Sequence, residues 1–387
     1  MKFEIDIATL KNMITRASVI QNKMFNGVKI EAEEDGEIYV TSGDGYSYVK
    51  ISSDATVYNS GKAVVSQDDI KKIISTMSGI VCVEINNNIL TVKNDKKKNM
   101  IRAASDEPFF SLPNNEFQTA FIAKENDIVE TLASLDSIRS QNPNDPKVCL
   151  TGFNIDASKN RCVACDGYRF AIKNLKWKFE DENLNIIVPG IVAKHLEKIA
   201  NIKSGNDIKV SVGKLATCSY ISFSGSDFKY TARLIDGNYL DIDRVTPSDS
   251  DYEFEIDVDE FRNVIKDHLK LKVAKEDSTV VLLCEENSIN IATLNSRFKS
   301  VDRLEKSEII KLDSSLMMLC FIGYLKDMTD IMQSTKIKAY GLNRKSSTGC
   351  ALSGMMFENE DYKVYILPVS PKDSRDVYAI RNFMLGA

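Results

Sequence analysis

Two Asp-Gly turns carry the side chains that could take part in chemistry. Asp166 and Arg169 belong to the first turn, and Asp241 follows the second. A carboxylate beside a guanidinium can hold a small polar substrate, so an enzyme that uses the Asp166/Arg169/Asp241 neighbourhood is one interpretation. Asp-Gly is also a strong turn signal, because glycine accepts positive φ and aspartate bonds its own backbone. Each motif alone therefore indicates a hairpin turn.

Histidine offers no better route to catalysis. The chain has two histidines, His195 and His268, and both lie on apolar faces of predicted helices. We expect both to be core or boundary residues, and no Ser/His/Asp set can be assembled without them. The sequence contains neither the P-loop nor the dinucleotide-binding glycine pattern. The lack of a catalytic set favours a binding or scaffolding protein.

Cysteines and paired carboxylates give weak signals for a metal. The eight cysteines mostly lie in apolar runs, as buried reduced thiols do. Cys162 and Cys165 form a CxxC pattern, but positions i and i+3 of a strand face opposite sides. Asp241 and Asp243 share a strand face and could bind Mg²⁺, although a solvated acidic surface is the commoner meaning. We predict no metal and no cofactor.

Composition and charge indicate a soluble globular protein of two or three domains. The 387 residues are 43% apolar and 27% charged, with a formal net charge of -5. This balance argues against a uniformly basic surface but allows a basic lining inside an acidic exterior. No run approaches the roughly 20 apolar residues of a membrane span, and the opening lacks the apolar core of a signal peptide. We expect a cytoplasmic protein with no membrane partner.

A pattern of strand followed by helix begins three times. Alternating residues at 3–7, 117–122 and 254–258 each lead into apolar residues at helical spacing. The starts lie roughly 110 to 140 residues apart, a normal domain length. We predict an α+β fold of three repeated domains, each with two helices packed on antiparallel sheet. The predicted boundaries are 1–115, 116–247 and 248–371, followed by a C-terminal tail at 372–387.

A second helix is predicted in each repeat. Ser66 to Asp69 is typical of a capping box before the first of these helices. Pro189 is predicted in the first turn of the next one, where proline is tolerated. Asp313 precedes Leu316, Leu319 and Cys320, which we interpret as the apolar face of the third.

Residues 164–171 and 234–247 together resemble a known family, the β sliding clamps of bacterial DNA polymerase III. The family's second domain carries Ala-Thr-Asp-Gly-His-Arg-Leu-Ala, and residues 164–171 read Ala-Cys-Asp-Gly-Tyr-Arg-Phe-Ala. It also carries Leu-Ile/Val-Asp-Gly-x-Phe/Tyr-Pro-Asp-Tyr-x-Arg-Val-x-Pro, and residues 234–247 read Leu-Ile-Asp-Gly-Asn-Tyr-Leu-Asp-Ile-Asp-Arg-Val-Thr-Pro. The opening Met-Lys-Phe-Glu-Ile-Asp and the threefold pattern fit as well, so the resemblance extends to about Val369.

The resemblance implies a non-catalytic processivity factor. Two chains would form a head-to-tail homodimer ring, with twelve helices on the inner wall and sheets outside. The ring would encircle double-stranded DNA without reading its sequence, because phosphate contacts carry no base information. It would tether the replicative polymerase, the clamp loader and other proteins with short Leu/Phe motifs, and so raise their local concentration.

The resemblance also assigns site residues. An apolar partner cleft between domains two and three would be formed by Leu150, Cys165, Gly167, Phe170, Leu240, Val245, Leu367, Pro368 and Val369, with Tyr168, Arg169 and Arg244 at its rim. The alternative for these apolar residues is ordinary packing between domains. DNA would be contacted by Lys23, Lys71, Lys72, Arg139, Lys147, Lys194 and Lys198, for which the alternative is a solvated helix face.

Departures from the family pattern add two hypotheses. The tail from Lys372 to Ala387 has no counterpart in the usual family chain and ends in Phe383-Met384-Leu385 before Gly386. Because these residues resemble clamp-binding motifs, we hypothesise that the tail covers the cleft of its own chain or of a neighbouring chain. Deletion from Lys372 onward should then strengthen peptide binding. A frayed terminus is the alternative. A clamp-fold paralogue that binds partners without loading on DNA is the remaining interpretation of the whole chain.

Overall fold

The computed structural model contains one chain, which divides into two compact units. It describes residues 1–22, 26–104, 117–200, 205–272, 278–295, 297–346, 349–370 and 382–384. The first unit comprises Met1–Ala133 and Lys176–Gly237. The second comprises Ser134–Leu175 and Asn238–Ala387.

The first repeat begins with a strand and a helix. Its elements are β1 (Lys2–Asp6), α1 (Ile7–Ala17), β2 (Gly27–Ala32), β3 (Glu37–Gly43), β4 (Ser47–Asp54), β5 (Thr56–Asn59), β6 (Gly61–Ser66), α2 (Gln67–Ser75), β7 (Ile80–Asn86), β8 (Ile89–Lys93) and β9 (Lys98–Arg102).

The second repeat has the same order of elements. It consists of β10 (Gln118–Lys124), α3 (Glu125–Leu135), β11 (Gly152–Asp156), β12 (Arg161–Cys165), β13 (Arg169–Asn174), β14 (Lys178–Phe179), β15 (Asn185–Pro189), α4 (Ile191–Ile199), β16 (Asp207–Leu215), β17 (Cys218–Ser224) and β18 (Phe228–Arg233).

The third repeat completes the series. It consists of β19 (Tyr252–Asp257), α5 (Val258–Lys270), β20 (Thr279–Glu285), β21 (Ser288–Leu294), β22 (Lys299–Arg303), β23 (Glu308–Leu312), β24 (Leu316–Phe321), α6 (Ile322–Ile331), β25 (Lys336–Gly341), β26 (Met355–Glu358) and β27 (Tyr362–Ile366). Over its described residues, each repeat therefore reads strand, helix, five strands, helix, three strands. The predicted α+β fold class with a threefold repeat of two helices on antiparallel sheet is confirmed.

Local sequence chemistry fixes where several helices begin. The Asp6 carboxylate accepts from the Ala8 backbone N–H at 2.8 Å at the start of α1. The Ser66 hydroxyl accepts from the Asp69 N–H at 3.3 Å, as the predicted capping box requires. Such caps satisfy backbone donors that the first helical turn leaves unpaired, and each contributes about 1 kcal/mol. The cap and the apolar stripe together explain why α2 was predictable from sequence.

Two of the predicted second helices differ from the structure. Residues 316–320, predicted as helix, belong to strand β24, and the helix of this repeat starts later, at Ile322. The reason is that Leu316–Phe321 is an unbroken apolar run, which periodicity alone cannot assign to a buried strand or a buried helix. Pro189 ends strand β15 instead of lying in the first turn of α4, which begins at Ile191 after Gly190.

The ninth strand of one repeat pairs with the fourth strand of the repeat before it. In the first unit, β18 pairs antiparallel with β4, joining a nine-stranded sheet ordered β14-β10-β16-β17-β18-β4-β3-β2-β6. In the second unit, β27 pairs antiparallel with β13 within the order β11-β12-β13-β27-β26-β25-β19-β23. We call these two pairings the internal joints. The same strand positions thus form both of them.

One ninth strand and one fourth strand are left at sheet edges. The remaining sheet of the first unit has the order β5-β1-β7-β8-β9 and ends at β9. The remaining sheet of the second unit has the order β22-β21-β20-β24 and ends at β22. Among the described residues, β9 and β22 therefore lack the partner that their counterparts have in the internal joints. Within the same residues, no helix has the length and apolar character to cross a membrane.

Candidate functional site

The turn between β12 and β13 is built by Asp166. One Asp166 carboxylate oxygen accepts from the backbone N–H of Tyr168 at 2.9 Å and of Arg169 at 3.0 Å. Gly167 has φ of +93°, a conformation that a side chain rarely adopts. The turn projects Tyr168, whose side chain is 66% exposed. The Asp-Gly signal in the sequence therefore describes a turn that presents an aromatic ring to solvent.

Arg169 is buried and its guanidinium has partners on three sides. It donates to Asp166 at 3.0 Å, to Asp327 on α6 at 2.8 Å and to the Ser137 carbonyl at 2.7 Å. Its guanidinium carbon also lies 4.2 Å from the centre of the Tyr324 ring. Charge-assisted hydrogen bonds of this kind hold geometry as well as charge. Arg169 thus fixes the turn against α6, and its charge is used inside the protein.

An apolar pocket of about 380 Å³ opens beside this turn. It is lined by Cys165, Gly167, Tyr168, Arg169, Phe170, Leu240, Asp241, Ile242, Arg244, Val245, Tyr365 and Leu367. Phe170 stacks on Tyr365 with ring centres 5.2 Å apart, and burial raises the pKa of the Cys165 thiol to about 11. The pocket therefore offers an apolar, aromatic floor to a ligand, with an inert thiol in its wall.

Ion pairs behind the pocket hold its second wall. Residues 241–245 form this wall, around a short 3-10 turn at Ile242–Arg244. Asp243 accepts two hydrogen bonds from Arg161 at 2.6 and 3.0 Å and is also paired with Lys159. Hydrogen bonds from these two cations lower the pKa of the Asp243 carboxyl to about 2. The wall is thus anchored to strand β12 and to the turn before it.

The pocket contains most of the predicted cleft residues, with differences. Leu150 is buried in the core cluster beneath the pocket, and Pro368 and Val369 lie outside its lining. Three lining residues were missing from the predicted cleft: Asp241, Ile242 and Tyr365. Alternation along β27 and within residues 240–245 could have indicated the last two.

The predicted role of Arg169 at the rim does not fit its burial, because its side chain is 6% exposed and engaged within the protein. Arg244 is the exposed rim cation. It pairs with Asp241 at 2.9 Å.

The carboxylate and the histidine that were considered for catalysis are both engaged within the protein. Asp166 uses one carboxylate oxygen for two backbone donors and the other for Arg169. His195 lies outside the lining, buried against the Tyr230 hydroxyl at 2.8 Å, and burial lowers its pKa to about 4. Among the described residues, no group of three or more His, Cys, Asp or Glu side chains could hold a metal. The Asp166/Arg169 pair is better explained as a turn anchor than as catalytic machinery.

The predicted DNA-contacting lysines are mostly accessible. Lys72 on α2 and the α4 residues Lys194 and Lys198 are exposed, and Lys71 is half-buried. Helix α1 packs against both α2 and α4, so these lysines belong to one group of helices in the first unit. Lys147 is exposed in a loop of the second unit. Lys23 lies outside the described residues.

Arg139 differs from the lysines because it is buried. Its side chain pairs with Asp136 at 2.6 Å, donates to the Ser140 carbonyl at 3.1 Å and lies over the Phe153 ring at 5.8 Å. A guanidinium held by these partners is not available to phosphate. The prediction that Arg139 contacts DNA therefore does not fit its position; its flanking place in the sequence gave no signal of burial.

The described part of the tail lies away from the pocket. Residues 382–384 are helical, and Met384 packs on a core cluster made of Val281, Leu283, Met317, Leu319 and Cys350. This cluster shares no residue with the lining of the pocket. The hypothesis that the tail covers the cleft of its own chain does not fit this position of Met384. That it covers the cleft of a neighbouring chain stays a prediction. Tail residues 372–381 and 385–387 lie outside the described part of the chain.

Comparison with known proteins gives one consistent result. A family model described as DNA polymerase III beta subunit, central domain, matches residues 136–241. The beta sliding clamp of Bacillus subtilis (strain 168) is 25% identical over 320 residues, covering 78% of this chain and 82% of the relative. That of Staphylococcus aureus (strain Mu50) is 23% identical over 291 residues, covering 71% and 73%.

Solved structures show that the fold is shared along almost the whole chain. The DNA polymerase sliding clamp of Bacillus subtilis superposes with a TM-score of 0.84 at 20% identity, covering 96% of this chain and 99% of that one. The DNA polymerase beta subunit of Streptococcus pyogenes gives 0.82 at 16% identity, covering 96% and 100%. At these identities the superpositions establish the fold. The chain is therefore similar to bacterial beta sliding clamps along most of its length, and its residues 136–241 match the model of the DNA polymerase III beta subunit central domain.

Proposed function

We propose that this protein is a DNA sliding clamp, the non-catalytic processivity factor of a replicative DNA polymerase. Two copies would close into a ring around duplex DNA, and the pocket beside Tyr168 would tether the polymerase and other partners. The observation that carries this proposal is the pair of unmatched strands, β9 and β22. They are the ninth and fourth strands of their repeats, which pair wherever two repeats are joined within the chain.

The internal joints supply a register for the contact between two copies. In the fourth strands, the residues that close the preceding hairpin are Tyr48, Phe170 and Lys299. In the ninth strands, the corresponding residues are Lys229, Lys363 and Lys98. Tyr48 lies opposite Thr231, and Phe170 lies opposite Tyr365. Thr231 and Tyr365 each lie two residues after the lysine that closes the hairpin of their own strand.

The same offset places Lys299 of one copy opposite Met100 of the other. Phe298 then lies opposite Ile101, because the strands are antiparallel. Met100 is 53% exposed and Phe298 is 40% exposed in the single chain, so the proposed pairing would cover apolar surface that is now in water. A contact between unlike edges of identical chains is head-to-tail, and two such contacts close a dimer.

The pocket supports the tethering part of the proposal. Its apolar lining, stacked floor and exposed Tyr168 suit a short peptide that inserts Leu and Phe side chains. The exposed lysines of α2 and α4, with Lys147, would contact the DNA backbone without base readout. Binding through phosphates would let the ring move along the duplex, while closure would prevent dissociation.

Mass and topology test the function directly. In solution we expect a species of about twice the 43.4 kDa chain mass. With its clamp loader and ATP, the protein should remain on nicked circular DNA and leave after the circle is linearised. A monomer at all concentrations, or equal retention on both DNA forms, would reject the proposal. A dimer that is never retained on a circle would favour the clamp-fold paralogue.

A triple substitution tests the DNA surface. Changing Lys71, Lys194 and Lys198 together to Glu reverses three charges on α2 and α4 and should abolish retention on circular DNA. The matched control changes Lys173, Lys178 and Lys214 to Glu, the same charge change on strands in place of helices. If the helix variant is retained like the control, the assignment of the DNA surface is wrong, although the ring can stand.

A further inference from the structure

One face of the β22-β21-β20-β24 sheet is apolar. Val281 and Leu283 on β20 pair with Leu319 and Met317 on β24, so all four side chains point to one face. Each of them is 6% exposed or less. Such an apolar face is kept out of water only where other residues cover it.

The chain's own C-terminal residues contribute to that cover. Met384 packs against the cluster formed by these four side chains and Cys350. Leu294 on β21 packs against the same cluster. The ammonium of Lys299 lies 5.9 Å from the centre of the Phe383 ring, within cation–π range. The tail therefore contacts side chains of the sheet from its interior strands to its edge.

Lys299 connects this docking site to the ring contact. It lies opposite Leu294 in the β21-β22 pairing, so both side chains are on the tail-covered face. In the register proposed above, Lys299 is also opposite Met100 of a second copy, whose side chain would continue the same face. Phe383 would then lie on one side of the Lys299 side chain and Met100 of the second copy on the other. The tail would thus reach the joint between the two chains.

We propose that the C-terminal segment Phe383-Met384 is a latch that docks on this face of its own chain and seals the joint formed with the second copy. The latch rests on the proposed ring. Met384 fills the apolar face, while Phe383 supports the Lys299 side chain at the edge strand. The second copy's Met100 would pack against a surface already ordered by the tail, so less entropy would be lost on closure.

Alanine substitutions in the full-length protein test the latch. The variant Phe383→Ala/Met384→Ala should raise the dimer dissociation constant about tenfold, equivalent to about 1.4 kcal/mol. Asn382→Ala is the matched control, because this residue is exposed in the same turn and should leave the constant unchanged. Energy transfer between donor-labelled and acceptor-labelled chains, measured at equilibrium over a range of chain concentrations, gives the constant. Thermal unfolding shows that each variant is folded.

The outcomes separate the latch from the ring. Wild-type protein that dimerises with the same constant as the double variant overturns the latch and leaves the proposed function intact. Wild-type protein that stays monomeric overturns both. A second measurement uses the Met100→Ala variant to test whether the tail and Met100 pack together across the joint. If they do, Met100→Ala should raise the dimer dissociation constant less in the Phe383→Ala/Met384→Ala protein than in the wild type. Strict additivity would remove the contact.

A peptide experiment tests the location of the tail independently of the ring. The Phe383→Ala/Met384→Ala protein is first loaded with a fluorescent Leu/Phe motif peptide in the pocket. A synthetic peptide of residues 372–387 should then bind this protein without displacing the motif peptide. Displacement of the motif peptide would place the tail in the cleft and overturn the docking site. The same substitutions in an otherwise full-length chain should leave the affinity for the motif peptide unchanged.

Discussion

Asp327 is the residue whose change best tests the support of the pocket turn. It lies on α6, outside the pocket lining, and accepts a 2.8 Å hydrogen bond from buried Arg169. The substitution Asp327→Asn keeps the shape of the side chain and removes its charge. The Arg169 guanidinium then keeps Asp166, the Ser137 carbonyl and the Tyr324 ring as partners.

The expected loss of unfolding free energy follows from how deeply the Arg169–Asp327 pair is buried. Removing one member of a fully buried ion pair destabilises a protein by about 3–5 kcal/mol, because a charge is left unpaired. Here the Asp327 side chain is 25% exposed, and Asp166 still pairs with the guanidinium. We therefore expect about 1–2 kcal/mol from this pair. The free energy of unfolding should decrease by that amount, measured by urea denaturation and followed by circular dichroism.

Asp330→Asn is the matched control on the same helix. Asp330 pairs with Lys326 at 2.6 Å, but both side chains are about half exposed. An exposed pair of this kind contributes at most about 0.5 kcal/mol. The motif peptide should bind Asp327→Asn less tightly, by a factor below ten, because the turn keeps its two backbone hydrogen bonds to Asp166. Equal unfolding free energies for the two variants would refute the idea that Arg169 anchors the turn through α6.

Two further predictions concern pH. Hydrogen bonds from Arg161 and Lys159 lower the pKa of Asp243 in the folded state to about 2 from its ordinary 3.8. The stabilisation from these bonds is therefore complete above pH 4 and is lost as the pH falls towards 2. The substitution Asp243→Asn should flatten the dependence of the unfolding free energy on pH between these two values. Burial against Tyr230 lowers the pKa of His195 to about 4 from 6.5, so the unfolding free energy should decrease as the pH falls from 6.5 to 4. The substitution His195→Gln should make this decrease smaller, as measured by urea denaturation at several pH values. An unchanged decrease would contradict the burial of a neutral imidazole.

Sequence reasoning succeeded where a local rule decides the structure. The Asp166-Gly167 pair predicted a turn, and Ser66 predicted the start of α2, because both depend on neighbouring backbone groups. The three strand-helix starts were visible because the spacing of apolar residues changes there from alternation to a helical period. Helix α6 was misplaced because Leu316–Phe321 is buried on both faces, and a run without polar positions has no period to measure.

The candidate site was predictable in outline but not in its charges. Family resemblance gave Cys165, Phe170 and Leu240, whose apolar character is explicit in the sequence. The burial of Arg139 and Arg169 depends on Asp136 and Asp327, and only the second of these is distant in sequence. The residues of a motif do not indicate whether its arginine faces solvent or pairs with a carboxylate on another element. Long-range ion pairs therefore required the structure.

The pairing of Arg169 inside the protein gives the two proposed binding surfaces different responses to ionic strength. Around the pocket, Arg169 is paired with Asp166 and Asp327, and Arg244 is paired with Asp241. Peptide capture should then depend on shape and hydrophobic contact and change little when salt is added, whereas lysine–phosphate contacts weaken steeply because counterions compete. A buffer of moderate salt would thus loosen the hold on DNA while partners remain attached.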